Sequence, residues 1–204
     1  MNSNYFYEYA SLLERILSTG YKYKFSGKNI ERRISYNPFF QSIETNDNLF
    51  SLFIEEDKLI NDIYNEINVD LKEVPVYKQC AWAAEAYLRI QIETGLTFET
   101  IFLYVSLNEM YEYYDLYHEM DFNQIIDLFN LKYNKISALA LLLNKYQFQL
   151  SDISLKSNIP YDTLNSLKIR RRDIKKVNVE TISKLARLLN VRIETISELR
   201  LNQK

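Results

Sequence analysis

The sequence predicts a mainly α-helical protein. Only three glycines and three prolines occur in 204 residues, too few for the tight turns of a many-stranded sheet. Apolar side chains also recur every three or four residues along several segments, which is the spacing of one helix face. Hydrophobic residues make up 47% of the chain, enough to fill a packed core. We therefore expect helices in both halves, with at most a few short strands in the N-terminal part.

Charge divides the chain into two unequal parts. Residues 1–135 carry 12 Lys and Arg against 21 Asp and Glu, whereas residues 136–204 carry 13 against 6. The net charges are −9 and +7, and the total of −2 conceals them. We predict an acidic, aromatic-rich, mostly helical domain over 1–135, used for dimerisation or partner binding, and a basic domain over 136–204. A basic segment of this size suits phosphate binding, because each neutralised phosphate releases counterions.

In the first part of the acidic region, the sequence predicts secondary structure clearly for only one segment. The segment YFYEYASLLERIL, which begins at Tyr5, has apolar residues at helical spacing and predicts a helix that ends at Gly20. A short strand could follow over 21–25, and then a helical turn capped by Ser26. Residues 36–74 mix turn formers with β-branched residues, so some strand is also possible there.

The second part of the acidic region predicts helices more clearly. We expect a helix that begins with Pro75 at its first position and ends at Gly95. Two or three further helices should follow, with breaks near Ser106 and Asp121. The join to the basic part, over 130–137, should be a helix or a short turn.

The basic part predicts five short helices. In the second of them we expect Ile153 and Leu155 on the buried side, and in the third Leu164 and Leu167. The fourth should be capped by Asn178. The segments that predict these helices, in order, are ISALALLLNKY, LSDISLKSN, IPYDTLNSLK, NVETISKLARLLN and RIETISELRLNQ.

Two of these stretches carry a family resemblance. DISLKSNIPYDTLNSLK and NVETISKLARLLNV, in this order and spacing, resemble the helix-turn-helix domain of the Cro and lambda-repressor type (the XRE family) over roughly 137–197. Ser154 takes the small-residue position where the second helix crosses the third. Asn158 takes the turn position that usually holds glycine, where the backbone is left-handed. The core positions of the motif are taken by Ile159, Leu164 and Leu167.

The resemblance implies a set of DNA-binding residues, since the third helix of such domains enters the major groove. Asn165 could pair with adenine and Tyr161 could contact a thymine methyl. The residues near base edges would be Tyr161, Asp162, Asn165 and Ser166, with Thr163 and Lys168 nearer the sugar-phosphate rim. The residues along the backbone would be Arg170, Arg171, Arg172, Lys175 and Lys176.

Two positions depart from the family pattern. Where family members often carry a phosphate-contacting glutamine, this chain has Leu150, with Gln149 one residue earlier, and we include Gln149 among the predicted DNA-binding residues. Where a glycine is common after the recognition helix, this chain has Arg170.

Other chemistry finds little support in the sequence. With one cysteine, Cys80, and one histidine, His118, the chain has no intramolecular disulfide and no Cys/His set for zinc. We expect a core thiol, a surface or helix-end histidine, and no cofactor, metal or enzymatic activity. The N-terminus lacks a signal-peptide pattern, and no apolar stretch approaches the ~20 residues that span a bilayer. We therefore expect a cytoplasmic protein with no membrane contact.

Two functional hypotheses follow. The first is a sequence-specific regulator that binds double-stranded DNA as a homodimeric (auto)repressor. The alternative is an interaction protein of a mobile element, such as an antitoxin or an anti-defence (anti-CRISPR-type) inhibitor. Its N-terminal domain would bind a protein target while the helix-turn-helix autoregulates its operon. The aromatic residues that could lie in the core or at such an interface are Trp82, Tyr111, Tyr113, Tyr114 and Tyr117.

Overall fold

The computed structural model describes residues 5–45, 55–65, 67, 70 and 74–201. These residues form thirteen α-helices and one short 3-10 turn, and no strand is found among them, which confirms a mainly α protein. The helices are α1 Phe6–Lys22, α2 Gly27–Tyr36, α3 Pro38–Glu44, α4 Glu56–Ile63, α5 Lys78–Thr94, α6 Phe98–Tyr104, α7 Leu107–Tyr117, α8 Phe122–Lys135, α9 Ala138–Lys145, α10 Leu150–Ser157, α11 Tyr161–Lys168, α12 Val179–Leu189 and α13 Ile193–Ser197, with the 3-10 turn at Ile174–Lys176 between α11 and α12.

Helix α1 runs past Gly20, so the prediction that it ends there is wrong. A Cβ at Gly20 would lie 2.5 Å from Cδ1 of Ile30 and 2.6 Å from the hydroxyl of Tyr64. Glycine therefore lets neighbouring elements approach the helix, and does not end it. The helix ends after Lys22, where Lys24 takes a left-handed backbone (φ 58°). The strand expected over 21–25 is likewise absent.

Local signals placed several other helix ends correctly. The Ser26 hydroxyl accepts a hydrogen bond from Asn29 N and caps α2, and left-handed Gly95 ends α5. Ser106 caps α7 in a reciprocal pair with Glu109. In α8, the carboxylate of Asp121 accepts from Asn123 N. The caps made by Ser26, Ser106 and Asp121 satisfy backbone N–H groups that have no partner within the helix.

Two expectations about the segment from 36 to 78 need correction. Helix α5 begins at Lys78 and not at Pro75, because Tyr77, whose ring lies 4.7 Å from that of Tyr21, keeps an extended backbone. Helices α3 and α4 occupy much of the stretch where some strand was possible. The remainder of that expectation falls on 46–54, 66, 68–69 and 71–73, which lie outside the described residues.

Buried apolar side chains form two clusters. The larger extends from Tyr9 to Ala138 and centres on α1 packed along α5. The smaller runs from Leu139 to Ile196 and is built by α9 to α13. This boundary lies close to the change in charge, and the division into two domains stays a prediction.

The basic part forms five short helices, α9 to α13, as expected, but its predicted core contains one error. Ile153 is buried but Leu155 is 83% exposed, because residues two positions apart point to different sides of a helix. Asn178 caps α12 through its side chain. A short turn through Ile136 and Ser137 joins α8 to α9. Along the part of the chain that the structure describes, no helix has the length and apolarity to cross a bilayer.

Candidate nucleic-acid interface

The turn between α10 and α11 is fixed by short-range hydrogen bonds. Asn158 has a left-handed backbone (φ 55°, ψ 34°), as its position in the sequence predicts. The Ser154 hydroxyl donates to the carbonyl of Ile159 at 2.7 Å, and the Ser157 hydroxyl donates to the carbonyl of Ile153 at 2.6 Å. Ile159 itself is buried. These contacts hold the start of α11 at a set distance from α10.

Helix α11 has one buried side and one open side. Leu164 and Leu167 are buried in the smaller cluster, whereas Tyr161 is 51% exposed. The Ser166 hydroxyl donates to the carbonyl of Asp162 at 2.7 Å, so only its lone pairs are left for another partner. Among the predicted contact residues on this helix, Asp162 and Lys168 are exposed, and Thr163, Asn165 and Ser166 are half-buried.

The amide of Asn165 is free to bind a ligand. Within the described residues it makes no hydrogen bond to the protein. An amide of this kind offers one donor and one acceptor side by side, as recognition of adenine in the major groove requires. Gln149, at the N-cap of α10, is exposed, and its side chain likewise makes no hydrogen bond to the residues that the structure describes.

The loop after α11 presents four cations to solvent. They are Arg171, Arg172, Lys175 and Lys176, and among the residues that the structure describes none of them has a carboxylate partner. Asp173 lies between them, and its carboxylate caps the 3-10 turn by accepting from Lys175 N at 3.0 Å. The loop is therefore a concentrated positive patch with a defined backbone.

Arg170 differs from its neighbours in the loop. Its backbone is left-handed (φ 56°), which is the conformation that makes glycine suitable at this position. Its guanidinium points toward the end of α8, where Nη2 donates to the carbonyls of Tyr133 (2.7 Å) and Ile136 (2.8 Å). The same nitrogen lies 2.9 Å from the carboxylate of Glu198. This placement corrects the expectation that Arg170 clamps a phosphate, because its charge is already paired inside the protein.

The buried carboxylate of Glu198 connects several elements. It accepts hydrogen bonds from the backbone N–H of Ala138 at 2.7 Å and from the hydroxyl of Tyr104 at 2.9 Å. Ala138 begins α9, so the carboxylate also faces the positive end of that helix. Burial, together with this neighbouring negative charge, raises the pKa of Tyr104. The tyrosine is therefore a neutral donor at physiological pH.

A second buried carboxylate ties the C-terminal helices to α3 and α6. Glu44 is fully buried, and its Oε2 lies 2.7 Å from Nη1 of Arg192. Its Oε1 accepts from the backbone N–H of Phe98, the first residue of α6, at 2.6 Å. Burial raises the pKa of Glu44 to about 7, against the opposing effect of Arg192.

Sequence reasoning missed these buried pairs and one half-buried cation, Arg200. Glu44 and Arg192 are 148 residues apart, and no local pattern connects them. Arg200 lines a groove of about 420 Å³ together with Arg171, Arg172 and Lys175. The sequence showed only that the C-terminal part is positively charged. It did not show that Arg200 lies beside the cations of the loop.

The remaining candidate residues take structural positions. Burial raises the pKa of Cys80, and its Sγ lies 3.4 Å from the hydroxyl of Tyr111. Trp82 is buried, with its ring 6.0 Å from that of Phe122. Nδ1 of His118 lies 2.8 Å from the carbonyl of Tyr114. Within the described ranges, no group of three or more His, Cys, Asp or Glu side chains could hold a metal ion.

Comparisons with known proteins yield no relative. No protein-family model matches the sequence, and comparison with curated proteins and with solved structures finds no match. What can be inferred about this chain therefore comes from its own residues and their arrangement.

Proposed function

We propose that the chain is a regulator that binds double-stranded DNA, with the N-terminal half of α11 in the major groove and the basic loop on the phosphate backbone. The observation that carries this proposal is a set of four exposed cations, directly after a helix with an open polar face, that have no carboxylate partner among the described residues. Free cations gain the most from phosphate contact, because no internal ion pair has to be broken first.

Charge and shape favour duplex DNA over RNA. The major groove of B-form DNA is wide enough for a helix, whereas the major groove of A-form RNA is too narrow. The open face of α11 carries hydrogen-bonding side chains, of which Asn165 is the best suited to a base edge. Base contacts from this helix would supply specificity, and phosphate contacts from the loop would supply affinity.

We further propose that two copies bind together. One recognition helix contacts only a few base pairs, and two half-sites about one helical turn apart multiply specificity. The test is an electrophoretic mobility shift with the full chain and the DNA upstream of its own gene, in the presence of excess random DNA. A specific retarded band is expected, and double-stranded RNA of the same length should not compete for it.

A second function is favoured by the surface of α7 and α8. Leu116 is 65% exposed and Leu131 53% exposed, and half-buried tyrosines accompany them. The nearby carboxylates of Glu112, Asp115 and Glu119 would repel DNA, and they favour a partner protein with a basic surface. This is the hypothesis of an antitoxin or anti-defence protein that also binds its own operator.

The two functions can be separated by paired variants of the full chain in a co-purification experiment. Leu116→Asp with Leu131→Asp should lose the protein partner and keep DNA binding. Arg171→Gln with Arg172→Gln should do the reverse. If Leu116→Asp with Leu131→Asp abolishes DNA binding and no protein partner is lost, the surface of α7 and α8 serves DNA binding alone.

A further inference from the structure

A cavity of about 240 Å³ lies where the N-terminal helices meet the C-terminal cluster. Its walls come from α2, α6 and α9 and from the turn between α12 and α13. The apolar part of the wall is formed by Phe102, Leu103, Leu142 and Val191. Because both apolar clusters contribute to it, the cavity exists only while the two are packed together.

The carboxylates in this wall already have partners. Glu31 Oε1 accepts from the backbone N–H of Leu107 at 2.7 Å, and its Oε2 lies 3.5 Å from Nζ of Lys145. Glu99 Oε1 accepts from the hydroxyl of Tyr36 at 2.7 Å, and its Oε2 accepts from the backbone N–H of Arg192 at 2.9 Å. The oxygens of both carboxylates are therefore engaged by protein donors.

Two cations in this wall have fewer partners than the carboxylates. Among the described residues Arg32 has no ion pair and no hydrogen bond from its guanidinium. Nζ of Lys28 lies 5.3 Å from the centre of the Tyr146 ring and has no carboxylate partner there either. Within the described part of the chain, the Tyr146 hydroxyl also makes no hydrogen bond. The cavity thus combines an apolar wall with two unpaired cations and one free phenol.

We propose that this cavity binds a small organic carboxylate. The apolar body would pack against Phe102, Leu142 and Val191, and the carboxylate would face Arg32 and Lys28. The cavity, at about 240 Å³, lies just below the roughly 300–1,000 Å³ of sites for drug-sized ligands, which suits a small acid with a single ring. Cavities of this mixed character, at the junction of two packed units, are where small ligands commonly bind.

The proposal is tested by NMR titration of the full chain with benzoate and with benzamide, its uncharged counterpart of the same shape. Benzoate should shift the backbone amides of Tyr36, Leu142 and Tyr146 saturably, and benzamide should bind at least about tenfold more weakly, since it lacks the charge that strengthens the hydrogen bonds.

Matched variants identify the site. Arg32→Gln should weaken benzoate binding by about tenfold, whereas Lys78→Gln, which removes an exposed cation outside the cavity, should leave it unchanged. Arg32 is exposed, so its replacement leaves the core intact. Equal affinity for the two probes would overturn the proposal, as would shifts confined to the loop of Arg171 and Arg172. No saturable shift at cavity residues up to about 10 mM, tenfold above a Kd of about 1 mM, would overturn it too.

Discussion

The guanidinium of Arg170 binds the buried carboxylate of Glu198 at 2.9 Å, which joins the end of α11 to the residue after α13. The same guanidinium donates to two carbonyls at the end of α8. The third helix of the basic part is therefore anchored against the N-terminal helices through one side chain. Its neighbours Arg171 and Arg172 face solvent.

Breaking this pair should destabilise the fold. We expect Arg170→Ala and Glu198→Gln each to lower the free energy of unfolding by about 3 kcal/mol, because either change leaves a buried polar group without its partner. The double variant should lose much less than the sum of the two losses. Urea unfolding measures all three, with Arg171→Ala as a control that should change stability by less than about 0.5 kcal/mol. Additive losses would show that the two side chains act independently.

Glu44 predicts a dependence of stability on pH. Its pKa in the folded protein is about 7, above the ordinary value of 4.5, so the folded state binds the proton more tightly. Proton binding by Glu44 therefore stabilises the folded state. This stabilisation is fully present below pH 4.5 and is lost as pH rises to about 7.

Glu44→Gln should remove this dependence. The unchanged chain should lose free energy of unfolding, relative to Glu44→Gln, by on the order of 1–3 kcal/mol as pH rises through this window. Urea unfolding of both proteins at several pH values measures this. A difference that stays constant with pH would show that Arg192 keeps Glu44 ionised throughout.

Gly20 tests the close packing around α1. Helix propensity alone predicts that Gly20→Ala stabilises the protein by up to about 1 kcal/mol. We expect instead a loss of about 1–3 kcal/mol, because the new methyl group would overlap Ile30 and Tyr64. Thermal and urea unfolding both report the sign, and a gain in stability would mean that the two neighbours move aside freely.

Asn165→Ala should change specificity more than stability. We expect the preference for the operator over a scrambled sequence to fall by about 1–3 kcal/mol, as the loss of one bidentate base contact predicts. The free energy of unfolding should stay the same, because this amide makes no hydrogen bond to the described part of the protein. Competition binding with the two DNA sequences measures the first quantity. An equal loss on both sequences would place Asn165 at the backbone instead of a base.

The features that sequence reasoning predicted well are local ones. Ser106, Asp121 and Asn178 cap helices through backbone groups two or three residues away, and Asn158 sets the backbone of its own turn. Such contacts depend on a few neighbouring residues, so a short stretch of sequence contains them.

The features that it missed depend on the whole fold. In the sequence, Arg170 cannot be distinguished from the two arginines that follow it. Only its contact with Glu198, 28 residues away, distinguishes it in the structure. Gly20 was predicted to end α1, because the residues around it in the sequence do not show that Ile30 and Tyr64 pack against it. Leu155, apolar but 83% exposed, was wrongly assigned to the core for a different and local reason, since helix periodicity already places it on another side from Ile153.

The central claim is that the loop after α11 binds DNA phosphates, and the salt dependence of DNA affinity tests it most directly. Fluorescence anisotropy with the upstream duplex should show that Arg171→Gln with Arg172→Gln weakens binding to operator and random DNA alike. The slope of log K against log salt should become shallower by about two, one for each lost phosphate contact. Lys78→Gln should leave both quantities unchanged. An unchanged affinity and slope in the double variant would contradict the assignment of this loop to DNA.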